Sequence, residues 1–321
     1  MGDITYTLQG VDLTDQRWAS TPVQSPIGRR ATGVWELNKG TGLLPSLPGF
    51  RVTRFEKPGQ HGETQAQFAP VAANGLPLVV RFWALGADPG HPDYQQVGAT
   101  PDVRLRMLQE NISEFLFRAQ IGAAGSKGYL ELERRYSPDG DPQTAVGRIV
   151  GSSEPEYGPD YLWADYTLIF SNPYGTWTGE QVTVTEDITT TSETEIRVPM
   201  GTAPVWDAVI AVRVTGEGER LEAGTRFTND TGVGFEIARW TESWWIYDMA
   251  SRMASLAGTA SFPNWGANLN DAQMVRELGR PQGSALLINP GVAGVGDRVG
   301  AVKVTAAAPC QVRIRYRPRY F

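Results

Sequence analysis

The chain has one cysteine, Cys310, and two histidines, His61 and His91, in 321 residues. A single thiol excludes an internal disulfide and a cysteine-rich zinc site. Both histidines fall in stretches rich in glycine and proline, and neither sits in an HExxH pattern, so they read as loop residues rather than metal ligands or triad members. No apolar run reaches about 18 residues, so no membrane insertion is expected. The opening MGDITYTLQG has no basic stretch followed by an apolar one, and no export signal is read there. Positive charge is in deficit: 29 Lys and Arg against 35 Asp and Glu, a formal net charge of -6, argue against a general nucleic-acid binder. GVAGVGDRVG (291–300) has the glycines of a phosphate cradle but no following helix and no GK[ST], so it reads as a turn between two late strands. No cofactor is implied.

Aromatics and turn formers are abundant instead. Ten Trp, eleven Tyr and eleven Phe favour sheets, and 36 Gly and 22 Pro without a repeat suit many turns between short strands. In the first half, ITYTLQG (4–10) reads as a strand. FRVTRF and ETQAQFAPV bracket EKPGQHG (56–62) at hairpin spacing. LPLVVRFWALG (76–86) is apolar enough to predict a strand buried on both sides.

One helix is expected over residues 100–122. Thr100 is a cap, Pro101 fits the first helical position, and Leu105, Leu108, Ile112, Phe115 and Ala119 make one stripe before Gly122 ends it. Strands resume at GYLELERRYS, QTAVGRIVG and DYLWADYTLIFSNP. The turn-rich SNPYGTWTG (171–179) places a boundary between a domain at 1–172 and another at 173–321. Beyond that boundary the chain is nearly all strand-like.

Candidate chemistry is sparse. Glu154, Glu156, Asp160 and Asp165 cluster in EPEYGPDYLWADY, but glycoside cleavage needs two carboxylates facing each other at a fixed separation. A solvated loop entering a strand that buries Trp163 and Leu168 accounts for the same residues. Cys310 opens a strand on its apolar face and reads as a small buried hydrophobe. Trp244, Asn264, Trp265, Asn268 and Asp271 combine rings with amide and carboxylate groups, as a glycan site does; packing explains the same aromatics.

The chain closes on VRIRYRPRYF (312–321). Val312, Ile314 and Tyr316 point one way; Arg313, Arg315 and Arg317 point the other. Pro318 cannot donate to a ladder, so Arg319, Tyr320 and Phe321 are expected along a rim, where they suit a subunit contact. Residues 180–195 hold Glu180, Glu186, Asp187, Glu193 and Glu195 with no basic residue. Such segregated charge is satisfied either within the domain or across subunits.

Several of these segments occur in an order that resembles a known family. GTAPVWDAVIAVRVTG (201–216), TRFTNDTGVGFEI (225–237), ALLINPG (285–291) and VRIRYRPRYF succeed one another as in the C-terminal domain of distal tail (Dit-like minor tail) proteins of long, non-contractile-tailed bacteriophages of the actinobacteriophage type. The first half agrees, with an initial strand, SPIGRRATG, LVVRFWALG, one amphipathic helix and a strand ending FSNP. The resemblance implies a mainly β fold: an N-terminal β-barrel or split-sheet domain with one helix, then a galectin-like β-sandwich. It implies a non-enzymatic structural protein that forms a homo-oligomeric ring of six subunits. That ring joins the tail tube to the tail-tip hub proteins at the distal end of the virion tail, after synthesis in the host cytoplasm. The insert at 265–283 and the stretch at 28–49 are departures from the family pattern. The alternative is a glycan-binding module of a baseplate or accessory protein that touches host surface sugars; a hydrolase comes third.

Overall fold

The structure is a computed structural model. It describes residues 5–13, 23–24, 30–31, 35–37, 53–56, 63–66, 74–84, 100–125, 128–136, 140–215, 224–238, 244–256, 263–266, 269, 275–278, 286–291 and 298–321. His61, His91 and most of 28–49, 57–62 and 265–283 lie outside them. The described residues form a mainly β structure of several sheets with one α-helix. The chain divides into two compact units, Met1–Gly49 with Val71–Trp177, and Phe50–Pro70 with Thr178–Phe321.

In the first unit an antiparallel path runs β2 (Val11–Asp12), β1 (Thr5–Leu8), β9 (Leu130–Arg135), β10 (Gln143–Ser152), β12 (Trp163–Asn172), β8 (Asn74–Trp83), β5 (Trp35–Leu37). Short β11 (Glu156–Tyr157) adds to β12, and β3 (Val23–Gln24) pairs with β4 (Arg30–Ala31). In β8 the buried residues are Leu76, Leu78, Val80 and Phe82, while Gly75 and Pro77 are exposed and Val79, Arg81 and Trp83 half-buried. The apolar run therefore buries one face, not two. On the other face of the sheet its side chains stand beside polar ones of β12, Val79 opposite Thr167 and Arg81 opposite Asp165.

Helix α1 (Pro101–Gly125) covers the buried face. The Thr100 carbonyl accepts from the N–H groups of Val103 and Arg104, starting the helix where the sequence places it. Leu108, Ile112 and Phe115 are buried, and Phe115 meets Trp35 and Phe82 with ring centroids 5.7 and 5.6 Å away. Nδ2 of Asn111 donates to the Trp83 carbonyl, tying the helix to β8. The helix does not stop at Gly122; it continues to Gly125. A single interior glycine costs only about 1 kcal/mol relative to alanine, and the next two residues, Ala123 and Ala124, are the best helix formers.

The turn before the unit boundary is built by Asn172. Its Oδ1 accepts from the N–H of Tyr174 and its Nδ2 donates to the Thr176 carbonyl, and Gly175 takes a positive φ of 64° that only glycine adopts readily. The chain then enters β13 (Trp177–Thr178).

The second unit holds the expected hairpin of β6 (Thr53–Glu56) and β7 (Glu63–Ala66). It also holds two five-stranded antiparallel sheets. The first runs β14 (Val182–Ile188), β23 (Cys310–Tyr316), β16 (Val209–Val214), β19 (Trp245–Asp248), β20 (Met253–Leu256). The second runs β15 (Glu193–Pro199), β22 (Val299–Thr305), β17 (Arg226–Thr228), β18 (Gly234–Ile237), β21 (Val275–Leu278). One buried cluster draws on both: Ile210, Val212, Val312 and Ile314 from the first, and Ile196, Phe227, Phe235 and Val304 from the second. Alternation at period two places these residues on one side of each strand, and burying them is the main force holding the unit together.

Asn229 organises the β17–β18 turn. Its Oδ1 accepts from the N–H groups of Thr231 and Val233 and from the Thr231 hydroxyl, while its Nδ2 donates to the Leu287 carbonyl. The chain ends in β24 (Arg319–Tyr320).

Candidate functional site

The closing strand β23 lies inside its sheet, between β14 and β16. Cys310, Val312, Ile314 and Tyr316 are buried, and Gln311, Arg313 and Arg315 alternate with them at half burial. The Tyr316 hydroxyl donates to the Pro199 carbonyl at 2.5 Å. Burial pushes the Tyr316 phenol up to about 12, with Tyr320 adding to the shift. Burial likewise pushes the Cys310 thiol up to about 11, so this sulfur is no nucleophile at neutral pH.

On the outward side the arginines meet tryptophans. The guanidinium groups of Arg313 and Arg213 lie 5.0 and 5.5 Å from the Trp244 ring centroid, and that of Arg315 lies 4.6 Å from the Trp265 ring. Trp244, Ala211 and Ile246 form a second, small core on this face, with Val209, Trp265 and Leu269 packed against it. Two groups of residues that the sequence kept apart, the aromatic glycan candidates and the arginine row, therefore share one surface. Cation–π stacking explains why: an arginine keeps its charge while its flat face covers an indole. Desolvation in this setting lowers the Arg315 pKa.

The same packing changes the reading of Trp244. It is 1% exposed, so its ring is not offered to solvent as a sugar platform, and its Nε1 has no hydrogen-bond partner among the described residues. Trp265 is half-buried, and Asn264 is exposed with its Oδ1 accepting from the Gly266 N–H. Asn268 and Asp271 lie outside the described residues.

Beyond Tyr316 the chain leaves the ladder at Arg317, which is exposed, and Pro318, which is buried. Arg319 departs from the rim position expected of it. It is 3% exposed, its Nε donates to Oδ1 of Asp207 at 3.1 Å, its Nη2 donates to Oδ2, and its guanidinium lies 3.9 Å from the Trp206 ring. Its carbonyl accepts from the Ala203 N–H, and the Phe321 N–H donates to the Thr202 hydroxyl. Tyr320 and Phe321 are half-buried. Sequence reasoning missed Trp206 and Asp207 because nothing in TAPVWDAV ties an acid and an aromatic ring to an arginine more than a hundred residues away.

The carboxylates of 154–166 do not form a facing catalytic pair. Asp165 accepts from Nε and Nη2 of Arg81, both at 2.8 Å, and Arg81 in turn lies 4.2 Å from the Trp163 ring. Trp163 is half-buried rather than buried, with that guanidinium over its ring. Asp160 sits on a 3-10 turn whose carbonyl is held by Nε of Arg104. Among the described residues no group of three or more His, Cys, Asp or Glu is placed to hold a metal ion.

A further surface was not read from the sequence. In the first unit Val146 and Val150 on β10 and Ile169 on β12 are exposed, Val150 by 64%, and Pro77 on β8 stands opposite Ile169. The register between β10 and β12 shifts between Ile149 and Gly151. The clue lay in QTAVGRIVG, where apolar residues occupy both parities of a strand with only one buried face.

No family model and no curated protein matches the chain by sequence. Solved structures do match. The Dit protein (gp 19.1) of phage SPP1, described as a paradigm of the hub adsorption apparatus in phages infecting Gram-positive hosts, aligns over 99% of this chain and 100% of its own, with a TM-score of 0.51 and 12% identity. Two structures of the phage P2 baseplate in its activated conformation, with Ca and with Sr, each align over 98% of both chains at 9% identity, with TM-scores of 0.32 and 0.30. The chain thus structurally resembles a phage distal tail protein, a component of the tail-tip hub.

Proposed function

We propose that this chain is a ring-forming hub protein of a phage tail tip, joining the tail tube to the distal, host-recognising apparatus. The observation that carries the reading is the end-to-end likeness to SPP1 Dit, which leaves almost nothing of either chain unmatched. In this reading the N-terminal part, residues 1–172, builds a homohexameric ring with a barrel-like or split-sheet core. The C-terminal part, 173–321, is a galectin-like sandwich that faces outward. Two five-stranded sheets sharing one core support the sandwich assignment. The exposed Val146, Val150 and Ile169 support a contact surface in the first unit, because exposed apolar side chains on neighbouring strands gain by being covered. The role asks for packing surfaces rather than catalytic groups, and the chain works at the distal end of the virion tail.

Mass measurement across a concentration series, together with particle images, tests this. Closed rings with one subunit number are expected, alone or with tail-tube protein added. A strict monomer under both conditions overturns it.

A second reading keeps host glycans as ligands of the C-terminal part. Half-exposed Trp265 with exposed Asn264 beside it supports this, and Asn268 and Asp271 belong to the same proposal, whereas Trp244 acts from beneath as packing. Binding to a panel of cell-wall polysaccharides, lost in Trp265→Ala with the melting temperature retained, is the expected result. No binding by the intact protein removes the reading.

A further inference from the structure

The charges of the second unit are kept apart by strand register. Across the β14–β23 ladder Thr183 stands opposite Arg315 and Thr185 opposite Arg313, so each arginine of the closing strand faces a threonine rather than a carboxylate. The acids of β14 are offset along the same ladder: Glu186 faces Val312 and Asp187 faces Gln311, whose side-chain amide donates to it at 2.8 Å. A shift of two residues, which keeps each side chain on its face, would have set Asp187 opposite Arg313. Instead Arg213, Arg315 and Arg317 have no carboxylate partner among the described residues, and two of the three are braced on indoles. Braced guanidinium groups are held in place before any partner arrives, which lowers the entropy cost of a contact.

The acids gather along the adjoining sheet edge, one strand over from the arginines. β14 and β15 are the edge strands of their sheets and are consecutive in the chain, so Glu180, Glu186, Asp187, Glu193 and Glu195 line one side of the unit, all exposed. Among the described residues Glu193 and Glu195 have only long ion-pair contacts, 3.9 Å to Lys303 and 3.7 Å to Arg197. Charges on edge strands discourage indiscriminate strand addition. They do not explain why a compensating basic face sits on the outside of the neighbouring strands.

We propose that the arginine face of one C-terminal unit receives the acidic β14–β15 edge of a second copy of this chain. The two surfaces are different patches of one subunit, so the contact is heterologous, the kind that closes a ring when its rotation permits. Like faces repel, so edge-to-edge and face-to-face pairings are disfavoured and the orientation of neighbours is selected. The inference rests on the ring reading and adds a salt-sensitive contact between outer units.

The test uses the full chain and charge reversal. Arg317→Glu and Glu186→Arg are chosen because both side chains are exposed and neither makes an ion pair or hydrogen bond among the described residues; far-UV spectra and melts confirm their folds. Each single variant should assemble at least tenfold less readily in concentration at 50 mM salt than the unaltered chain, and that difference should shrink at 500 mM. A double variant carrying both reversals should recover most of the loss. Arg315→Gln, a milder change, should reduce the salt dependence in the same direction. Rings that form with unaltered concentration and salt dependence in all these variants overturn the contact while leaving the ring reading intact. Failure of the unaltered chain to assemble, alone or with tail-tube protein, overturns the ring reading and this inference with it.

Discussion

Arg319 and Asp207 form a two-pronged ion pair across 112 residues of sequence, with the guanidinium stacked on Trp206, the neighbour of its own partner. The arginine is almost fully buried, while the side chain of Asp207 keeps 33% of its surface in solvent. The end of the chain is therefore fastened to the segment that leads into β16. Asp207→Ala leaves a buried cation without its partner. That should cost about 3 kcal/mol, the low end for breaking a buried pair, because Asp207 is not fully desolvated. Urea unfolding reads the change. A loss below about 1 kcal/mol would show that the pair is worth no more than a surface one.

A glycine tests the same fastening from the backbone side. A Cβ on Gly201 would run into the Arg319 carbonyl and crowd the Tyr320 ring. That carbonyl is already held by the Ala203 N–H, so it cannot simply move aside. Gly201→Ala should destabilise by about 1–3 kcal/mol, as overpacking does. Gly266→Ala is the control, since among the described residues a Cβ there meets only Asn264 Oδ1 at 3.7 Å, an ordinary contact. Equal melting temperatures for the two variants would contradict the tight approach.

Much of this fold could be read along the chain where one rule governs a whole element. The alternation in VRIRYR gives the buried and outward faces of β23, and the stripe of Leu108, Ile112 and Phe115 gives the covered face of α1. The hairpin of β6 and β7 comes from local spacing as well. The failures are tertiary. Trp244 reads as a free ring because alternation cannot show that the outer face of β16 and β19 is covered by a segment some twenty residues on. Arg319 reads as a rim residue because its partner is remote. Gly122 reads as a stop because propensity is local, whereas helix length is set by the alanines after that glycine and by packing.

The pH dependence of stability should show a fall at the alkaline end. Burial raises Cys310 to about 11 from 9.0 and Tyr316 to about 12 from 10.0, and raises Tyr247 further still. The folded chain therefore holds these protons more tightly than the unfolded chain. Their contribution is fully present below about pH 9 and is lost as pH rises through the unfolded values toward the folded ones. Melts at pH 8, 9, 10 and 11 should be level at first and then drop. Tyr316→Phe should start less stable, for want of the bond to the Pro199 carbonyl, and drop less steeply. A melting temperature constant to pH 11 would refute the protonation argument.

Truncation separates the roles of the last ten residues. Removing Arg319–Phe321 breaks the Asp207 pair, the bond to Thr202 and the bridge at Ala203, but leaves β23 whole. The second unit should fold with reduced stability, a folding effect that the expected rim position would not have produced. Removing residues 312–321 takes away most of the strand that β14 and β16 both pair with, and with it buried Val312, Ile314 and Tyr316. Each such side chain is worth about 1.5–3 kcal/mol when fully buried. Together they approach the roughly 5–15 kcal/mol that holds a typical domain folded. Since β14 and β16 meet only through β23, the first sheet is also split, leaving backbone groups without partners. The longer truncation should therefore abolish cooperative unfolding of the second unit, seen as a lost transition in calorimetry, while the short one only lowers it. If the chain lacking 312–321 melts with the same transitions as the full chain, β23 does not hold β14 and β16 together in one sheet.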